Sequence, residues 1–488
     1  MIDVQVRIHD RFSVEFKIGY LVKKNLPVND FMMNTWIFIP NSLDINPSTY
    51  TKNQFYNDVK SNIRLITPIY ELDEMTDGKA LPFIFLQGIL RELEVEPTRE
   101  HLTDYEYQIK MFCSITKSAL RRETDRITNN IPNDEIKHTI ARFIENITQI
   151  NNRYREQCSF IKTANLPHEA EIYFAFGDEF LVNQLEYYIY RLLESLKNRY
   201  LSDYTQMEEM LMQLVKDGIA YKTTRGYQLV KKNSVDRNRS VVFRMRLLAK
   251  YAESHLFLDA SKKKDGLMAE QVYYSAAAGI SMIFATAIAF SFQQKYGNFT
   301  MPLFVALVVS YMLKDRIKEL MRYYFVHRLA KKYFDNKTTI SIKETLLGWI
   351  KEGIDFITDE RVPEAIMEMR NRSDLLEADN RNTKEKIILY RKLVRIDGTA
   401  LDESNQYDVS GVNDIVRFNV FSFIHKMDNP EVSLAVPAEN GGYEMTEGER
   451  IYYINFLIQL RYDDNIDYKR YRLLVSRNGI EGIEKMQE

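Results

Sequence analysis

The sequence predicts an α+β membrane protein: an N-terminal small α+β module plus a helical bundle, a central transmembrane helical hairpin, and a C-terminal helical segment plus an antiparallel β-sheet. Three observations lead there. Residues 272–292 read VYYSAAAGISMIFATAIAFSF without a charge, and about 20 apolar residues suffice to cross ~30 Å of hydrocarbon. Apolar residues before that run recur at helical spacings of three and four, and both ends of the chain alternate polar with apolar residues, the signature of half-buried strands.

At 488 residues the chain exceeds what one core usually organises, so two or three structural units are expected. The 45% apolar and 27% charged content describe folded material. With 66 basic and 68 acidic residues the net charge is -2, which argues against bulk nucleic-acid binding. Cys113 and Cys158 are the only cysteines, which leaves no disulfide framework and no Cys-rich metal site and fits a reducing compartment. Abundant Tyr, Ile, Asn and Lys suggest an AT-rich, bacterial coding sequence.

In the N-terminal module, residues 1–100, Ile2, Val4, Val6 and Ile8 and then Val14, Phe16, Ile18, Tyr20 and Val22 alternate on either side of His9-Asp10-Arg11. This predicts strand, turn, strand. The opening MIDVQVRIHDRFSVEF carries neither the basic nor the apolar region of a secretory signal, so a start in the cytosol is expected. A strand through Trp36 to Ile39 and a helix over about 50–66 complete the module. His9-Asp10 has the look of a metal phosphohydrolase pair, but a metal needs several convergent ligands and none is near in sequence.

Over residues 101–265 a helical bundle is predicted. Ile136, Ile140, Phe143, Ile147, Ile150 and Tyr154 form one apolar seam, and Leu181, Leu185, Tyr188 and Leu192 another. Partners for these seams lie either within the chain or, as a coiled coil, in a second chain. Residues 207–230 read as a helix and a hairpin turning at Arg225-Gly226, a weak winged-helix look without a basic recognition helix.

The hairpin occupies 266–313, with spans of about 272–292 and 296–313. The apolar part of the second is short, 301–313, which keeps open the alternative of two buried helices in a soluble core. Thr300 before Pro302 marks a helix start. Lys262, Lys263 and Lys264 precede the first span, and Lys314, Arg316, Lys318, Arg322, Arg328, Lys331 and Lys332 follow the second, whereas the link holds only Lys295. The positive-inside rule then places both flanks, and so both termini, in the cytoplasm, with the protein in the inner (plasma) membrane. Tyr273, Tyr274, Tyr296 and Tyr311 fall near the interfaces. Small residues Ala277, Ser281, Ala285 and Ala289 repeat at every fourth position, and Ser275 pairs with Gly279, which suits close helix packing against the second span or a neighbouring subunit.

Residues 314–375 read as an amphipathic and helical connector whose basic face, Lys314, Lys318 and Arg322, suits anionic headgroups, with helical pattern over 342–369. The charged stretch RNRSDLLEADNRNTKEK follows as an exposed linker. The C-terminal part, 384–488, alternates at Ile388, Tyr390, Val394 and Ile396, at Val416, Phe418 and Val420, and from Tyr452 to Tyr462, with a last strand over 468–475. An antiparallel sheet of four or five strands is expected, with turns at Asn440-Gly441-Gly442 and Asp463-Asp464-Asn465. The acidic group Asp463, Asp464 and Asp467 reads as turn chemistry before a cation site.

No phosphate-binding glycine loop, nucleophile elbow, HExxH or paired-Cys motif is present, and the seven histidines stand singly. No cofactor or metal is expected, and no catalytic residue is nominated. The stretches SAAAGISMIFATAIAFSFQQKYGN, FVALVVSYMLKDRIKELMRYYF and YKRYRLLVSRNGIEGIE resemble a group of bacterial two-span membrane proteins of similar length, over most of the chain. That resemblance implies an inner-membrane setting and carries no activity. The function expected is a membrane-anchored cytosolic scaffold, sensor or regulatory protein, with the bilayer and either a second copy or a cytosolic protein as partners. An oligomeric effector or pore built from hairpins, and a membrane-associated enzyme, are the alternatives.

Overall fold

The computed structural model describes residues 1–486 except 77–78, 134, 164–165, 198, 200–203, 331–332, 374, 376–383 and 440. It is α+β. Two compact units are distinct: Met1–Ile63, Asp259–Ser404 and Gly411–Glu488 form the first, and Arg64–Leu258 with Asn405–Ser410 the second.

The first unit is built on two facing sheets. The smaller runs β1 (Ile2–Asp10), β2 (Ser13–Leu21), β9 (Gly411–Asn419) and β4 (Val59–Leu65). The larger has eight strands in the order β14 (Gly479–Met486), β13 (Asn465–Ser476), β12 (Tyr452–Tyr462), β3 (Asn29–Ile39), β8 (Lys386–Ile396), β7 (Thr345–Ile357), β6 (Asn336–Ile342) and β5 (Asp259–Lys264). Its neighbours all pair antiparallel. Alternation selects the inward faces. Phe16 meets Phe456 with ring centres 5.2 Å apart, Phe418 meets Phe456 at 6.1 Å, and Tyr20 meets Phe31 at 5.3 Å. Each such burial is worth about 1.5–3 kcal/mol. A cavity of about 30 Å³ remains between Phe16, Met33, Ile37 and Phe418; its apolar walls offer a water no partner. The outer face of the large sheet is covered where Val362 and Ile366, on and beside the short helix Glu364–Arg370, pack on Trp36, Phe38, Ile387 and Leu457.

Several expectations are corrected here. The first hundred residues are not a module of their own, and 384–488 is not a separate sheet: β2 pairs with β9, and β3 lies between β12 and β8. The helix expected over about 50–66 is only α1 (Lys52–Asp58), after which the chain turns extended into β4. The helical pattern expected over 342–369 is mostly β7, whose Leu347, Ile350 and Ile354 are buried. Gly348 sits beside a bulge at Leu347 of β7 with φ 154°, where a Cβ would lie against the carbonyl of Arg395. Both expected turns exist. Asp463 adopts φ 49° between β12 and β13 and pairs with Lys23 at 2.8 Å, and Gly441 and Gly442, with Asn440 outside the described residues, link β10 (Glu431–Pro437) to β11 (Tyr443–Glu449). Most of the charged stretch 370–386 also lies outside the described residues.

The second unit is helical: α2 (Leu81–Val95), α3 (Arg99–Asn129), α4 (Ile136–Thr163), α5 (His168–Lys197), α6 (Tyr204–Arg225) and α7 (Val235–Glu253). Thr98 caps α3 by accepting the His101 N–H. Both apolar seams, Ile136 to Tyr154 and Leu181 to Leu192, are buried within the chain. Phe112, Tyr154 and Phe174 stack at 5.3 and 4.9 Å. The hairpin expected at Arg225-Gly226 is absent; α6 runs to Arg225 and no strand follows over 227–230. The buried Asp178 accepts hydrogen bonds from the hydroxyls of Tyr221 and Tyr227, both 2.8 Å, and faces Arg155 at 3.4 Å.

His255 is half-buried in this unit, edge-on to Tyr107, and its desolvation together with the Lys110 charge pushes its pKa down from the usual 6.5 to about 3. Between those values the unfolded chain takes a proton that the folded one refuses. Stability falls as pH drops below 6.5, by up to about 1.4 kcal/mol per pH unit for this group. Urea unfolding between pH 7 and 5 is expected to show that slope and His255→Gln to flatten it; an unchanged slope in the variant would assign it elsewhere.

Candidate functional site

The site lies in the first unit, where a helical hairpin is inserted between two paired strands. β5 and β6 pair antiparallel, with Lys264 opposite Asn336. Between them the chain leaves as α8 (Leu267–Tyr296) and returns as α9 (Met301–Ala330). Asp265 closes this neck: its backbone N–H donates to the carbonyl of Asp335 (3.3 Å), and its carboxylate accepts the Phe334 N–H (3.2 Å) and pairs with Lys351 (3.1 Å). Gly266 precedes α8 at φ 72°, and a Cβ there would come within 2.7 Å of the Tyr333 ring, so only glycine makes the turn. In the first turn of α8, Glu270 accepts from Lys264 (2.6 Å) and from the Tyr274 hydroxyl (2.7 Å). Those two bonds hold its pKa below the usual carboxylate range.

Beside the neck is a polar pocket of about 540 Å³, lined by α1, the β5 end and the start of β6. Asp335 anchors it, accepting from Lys52 (2.9 Å), the Tyr56 hydroxyl (3.0 Å) and the Ile354 N–H (2.9 Å). Lys262 lies 4.7 Å over the Tyr56 ring. Its size falls in the range of small-molecule sites, ~300–1,000 Å³, and its mixed lysine and carboxylate lining suits a small polar or zwitterionic molecule.

Lys262 also reaches inward, to Glu352 at 3.2 Å. Glu352 accepts from the Tyr390 hydroxyl (2.6 Å) and pairs with Lys392 (3.0 Å). Lys392 bonds in turn to Asp414, which also accepts from the Ser61 hydroxyl. The side chains of Lys392 and Asp414 are both 0% exposed. Lys392 stands on the large sheet and Asp414 on the small one, so the ion pair bridges them. Burial pushes the Glu352 carboxyl up, but the Lys392 and Lys262 charges and the Tyr390 hydrogen bond outweigh it and hold the pKa at about 2. Burial likewise opposes the Lys392 charge, and Asp414, Tyr390 and Glu352 overcome it, leaving that pKa well above its usual value. The nearby Tyr20 hydroxyl is raised by burial and then by Asp414.

The hairpin carries the residues singled out from sequence. Among the described residues Ala277 and Ser281 of α8 and Ala306 and Ser310 of α9 are its buried ones, and Ala285 and Ala289 are half-buried. The fourfold repeat thus faces the hairpin's own seam. Ser275 and Gly279 are exposed, with nothing within 4 Å of a Cβ built at Gly279. Lys262, Lys263 and Lys264 form an exposed edge strand, and Lys262 and Lys264 are engaged by Glu352 and Glu270. On α9, Lys314 lies 4.0 Å over Tyr311, Arg322 lies 5.1 Å over Tyr274, Arg316 faces Glu319 at 3.6 Å, and Lys318 is half-buried. Lys331 and Lys332 lie outside the described residues, as does the side chain of Arg328.

α8 alone among the described residues is long and apolar enough to cross a membrane, with a stretch of mean hydropathy 1.7 of which 11% is buried. Arg322 over Tyr274 and the contact of the Phe325 and Tyr273 rings (5.0 Å) give the register of the two helices. On it Lys314 is level with about residue 283 of α8.

His9 faces Glu15 at 3.6 Å at the end of β1, and no group of three or more metal-ligating side chains gathers among the described residues. Comparison with protein-family models, with characterised proteins and with solved structures finds no match. Asp335, Glu352, Lys392 and Asp414 were not singled out from sequence, although each of the last three occupies an inward position in its strand.

Removing one partner of a buried pair leaves the other charge uncompensated, at a cost of about 3–5 kcal/mol. Lys392→Met is expected to destabilise the first unit by that amount, and Lys392→Met with Asp414→Leu to recover part of it; thermal unfolding in detergent reads both. Because the Glu352 pKa is depressed, its contribution is present above about pH 4.5 and disappears as pH falls towards 2. A midpoint insensitive to Lys392→Met would remove the cluster from its structural role.

Proposed function

We propose that the chain is an integral membrane protein held by the α8–α9 hairpin, and that its folded parts serve as a cytosolic scaffold, sensor or regulator at the bilayer surface. One observation carries the reading: the one helix among the described residues that is long and apolar enough to cross a membrane is exposed along most of its length. A core helix of a soluble protein of that hydropathy would be covered. Here Val272, Ile280, Met282, Ile283, Phe290, Met301, Phe304 and Met312 all face outward.

Both ends of the hairpin enter one pair of strands, so once it inserts, everything before and after it shares one side of the membrane. The concentration of Lys and Arg on that side favours the cytoplasm, and the inner membrane of a bacterium. The sensor reading draws on the neck pocket, because Lys262 touches both the pocket and the ion cluster that joins the sheets. A ligand that moved Lys262 would be felt by Glu352 and Lys392. The pore alternative loses support from the fourfold small-residue repeat, which is occupied within the hairpin.

The test is topology. With the native cysteines replaced, a cysteine at Asn298 is expected to react with an impermeant thiol reagent on intact cells, and one at Lys263 to react only after the cells are opened. Protein that resists carbonate extraction yet shows Asn298 protected would mean a hairpin that enters without crossing, and protein released by carbonate would end the anchored reading.

A further inference from the structure

We propose that the outward face of α7 is a second, peripheral membrane contact that binds the surface of an anionic bilayer. The core side of α7 is set by Val241, Leu248 and Ala252, which are buried. Arg239, Phe243, Arg246 and Lys250 follow at spacings of four, three and four on the opposite side. Phe243 is 64% exposed, and Val242, Leu247 and Val235 flank it at 56%, 46% and 66%. Single exposed apolar residues are ordinary, but four large ones on one helix, set among cations, are not. Asp236, paired with Arg239 at 2.9 Å, is the acid on this stretch, and no ionic partner of Arg246 or Lys250 occurs among the described residues.

An aromatic ring and aliphatic side chains between basic groups match a bilayer interface, where the cations meet headgroup phosphates and the apolar groups enter the acyl boundary. Nucleic acid would use the cations and leave Val235, Val242, Phe243 and Leu247 wet. A second copy of the same face would set Arg239, Arg246 and Lys250 against themselves. The inference rests on the anchored reading for one step: with residues 254–266 alone between α7 and α8, an inserted hairpin holds α7 at high effective concentration near lipid.

The test uses the full chain reconstituted into vesicles of phosphatidylcholine alone or mixed with phosphatidylglycerol, with an environment-sensitive fluorophore on Phe243→Cys in a Cys158→Ser background; Cys113 is buried. A blue-shifted emission, quenched several-fold by nitroxide lipid, is expected in the anionic vesicles only, and is expected to fall in high salt. Arg239→Glu with Arg246→Glu and Lys250→Glu should abolish it. Water-like emission in both vesicle types overturns the proposal, as does an equal shift in both or in detergent, which would assign the face to a protein. Carbonate extraction of the same samples reports the hairpin separately: inserted protein with a wet Phe243 position fails this proposal alone, whereas extractable protein that still shows anionic-lipid quenching fails the anchor alone.

Discussion

The ion pair between Lys392 and Asp414 is the constraint on which the first unit depends. A lysine with no exposed side-chain surface survives only where its charge is matched. Here two cations, Lys392 and Lys262, meet two carboxylates, Asp414 and Glu352, and hydroxyls of Tyr390 and Ser61 fill remaining acceptor positions. Such a network adds little net stability over a well-packed apolar core, but it is unforgiving of misplacement. It therefore specifies which strand of one sheet faces which strand of the other. With β8 opposite β9 in this way, β3 from the start of the chain is drawn between two strands from its end, β2 is drawn against β9, and β5 and β6 are carried to an edge of the large sheet.

That edge position explains the neck. A hairpin of two long helices inserted in the middle of a sheet would split it, whereas at an edge the helices continue the strand pair outward. Asp265 and Asp335 secure the junction from both sides, and Gly266 turns the chain into α8 where no other residue avoids Tyr333. The same geometry makes the neck pocket, since the first residues of α8, the last before β6 and α1 surround a space that the strands do not fill. Lys262 touches both this space and the buried cluster.

Local periodicity made the helices of the second unit and the strands β1, β2, β8 and β12 legible, because each shows its inward face within a few residues. Ile136 to Tyr154 could be read as a seam before anything was known of what covers it. Long-range pairing was not legible: nothing in the alternation of Val14, Phe16 and Ile18 says that β9, about four hundred residues away, is the neighbour. β7 was misread because its glycines and paired apolar residues blur the period of two. The charged cluster left a trace that was passed over. Ile388, Tyr390, Val394 and Ile396 mark the inward phase of β8, and the missing position in that series is Lys392; Asp414 falls likewise in phase with Val412 and Val416, and Glu352 with Ile350 and Ile354. A charge in the apolar phase of a strand signals a buried partner elsewhere. The neck pocket left no comparable trace, since its lining comes from three separate segments.

The two helices of the hairpin are of equal length but divide their chemistry unequally. α8 is uncharged over 272–292, about 30 Å, whereas α9 is uncharged only over 301–313, about 20 Å at 1.5 Å per residue. In the observed register Lys314, Asp315 and Arg316 are therefore level with the middle of the apolar run of α8. Withdrawing the tip to keep those charges wet would bury Gln293, Gln294, Lys295 and Asn298, and a lysine in mid-bilayer alone costs about 2.5–3.5 kcal/mol. Leaving the tip in the far headgroups instead asks Lys314 and Lys318 to extend back to the near interface, where Tyr273, Tyr274 and Tyr323 stand, and asks the bilayer to thin beside α9. Thinning costs fractions of a kcal/mol per Å, and long basic side chains reach several ångströms. Asp315 and Arg316, which carry the same mid-bilayer cost, must then face that thinned side. In the anchored reading the hairpin is thus an asymmetric wedge, with α8 against lipid of ordinary depth and the charged flank of α9 against a thinned, headgroup-rich side.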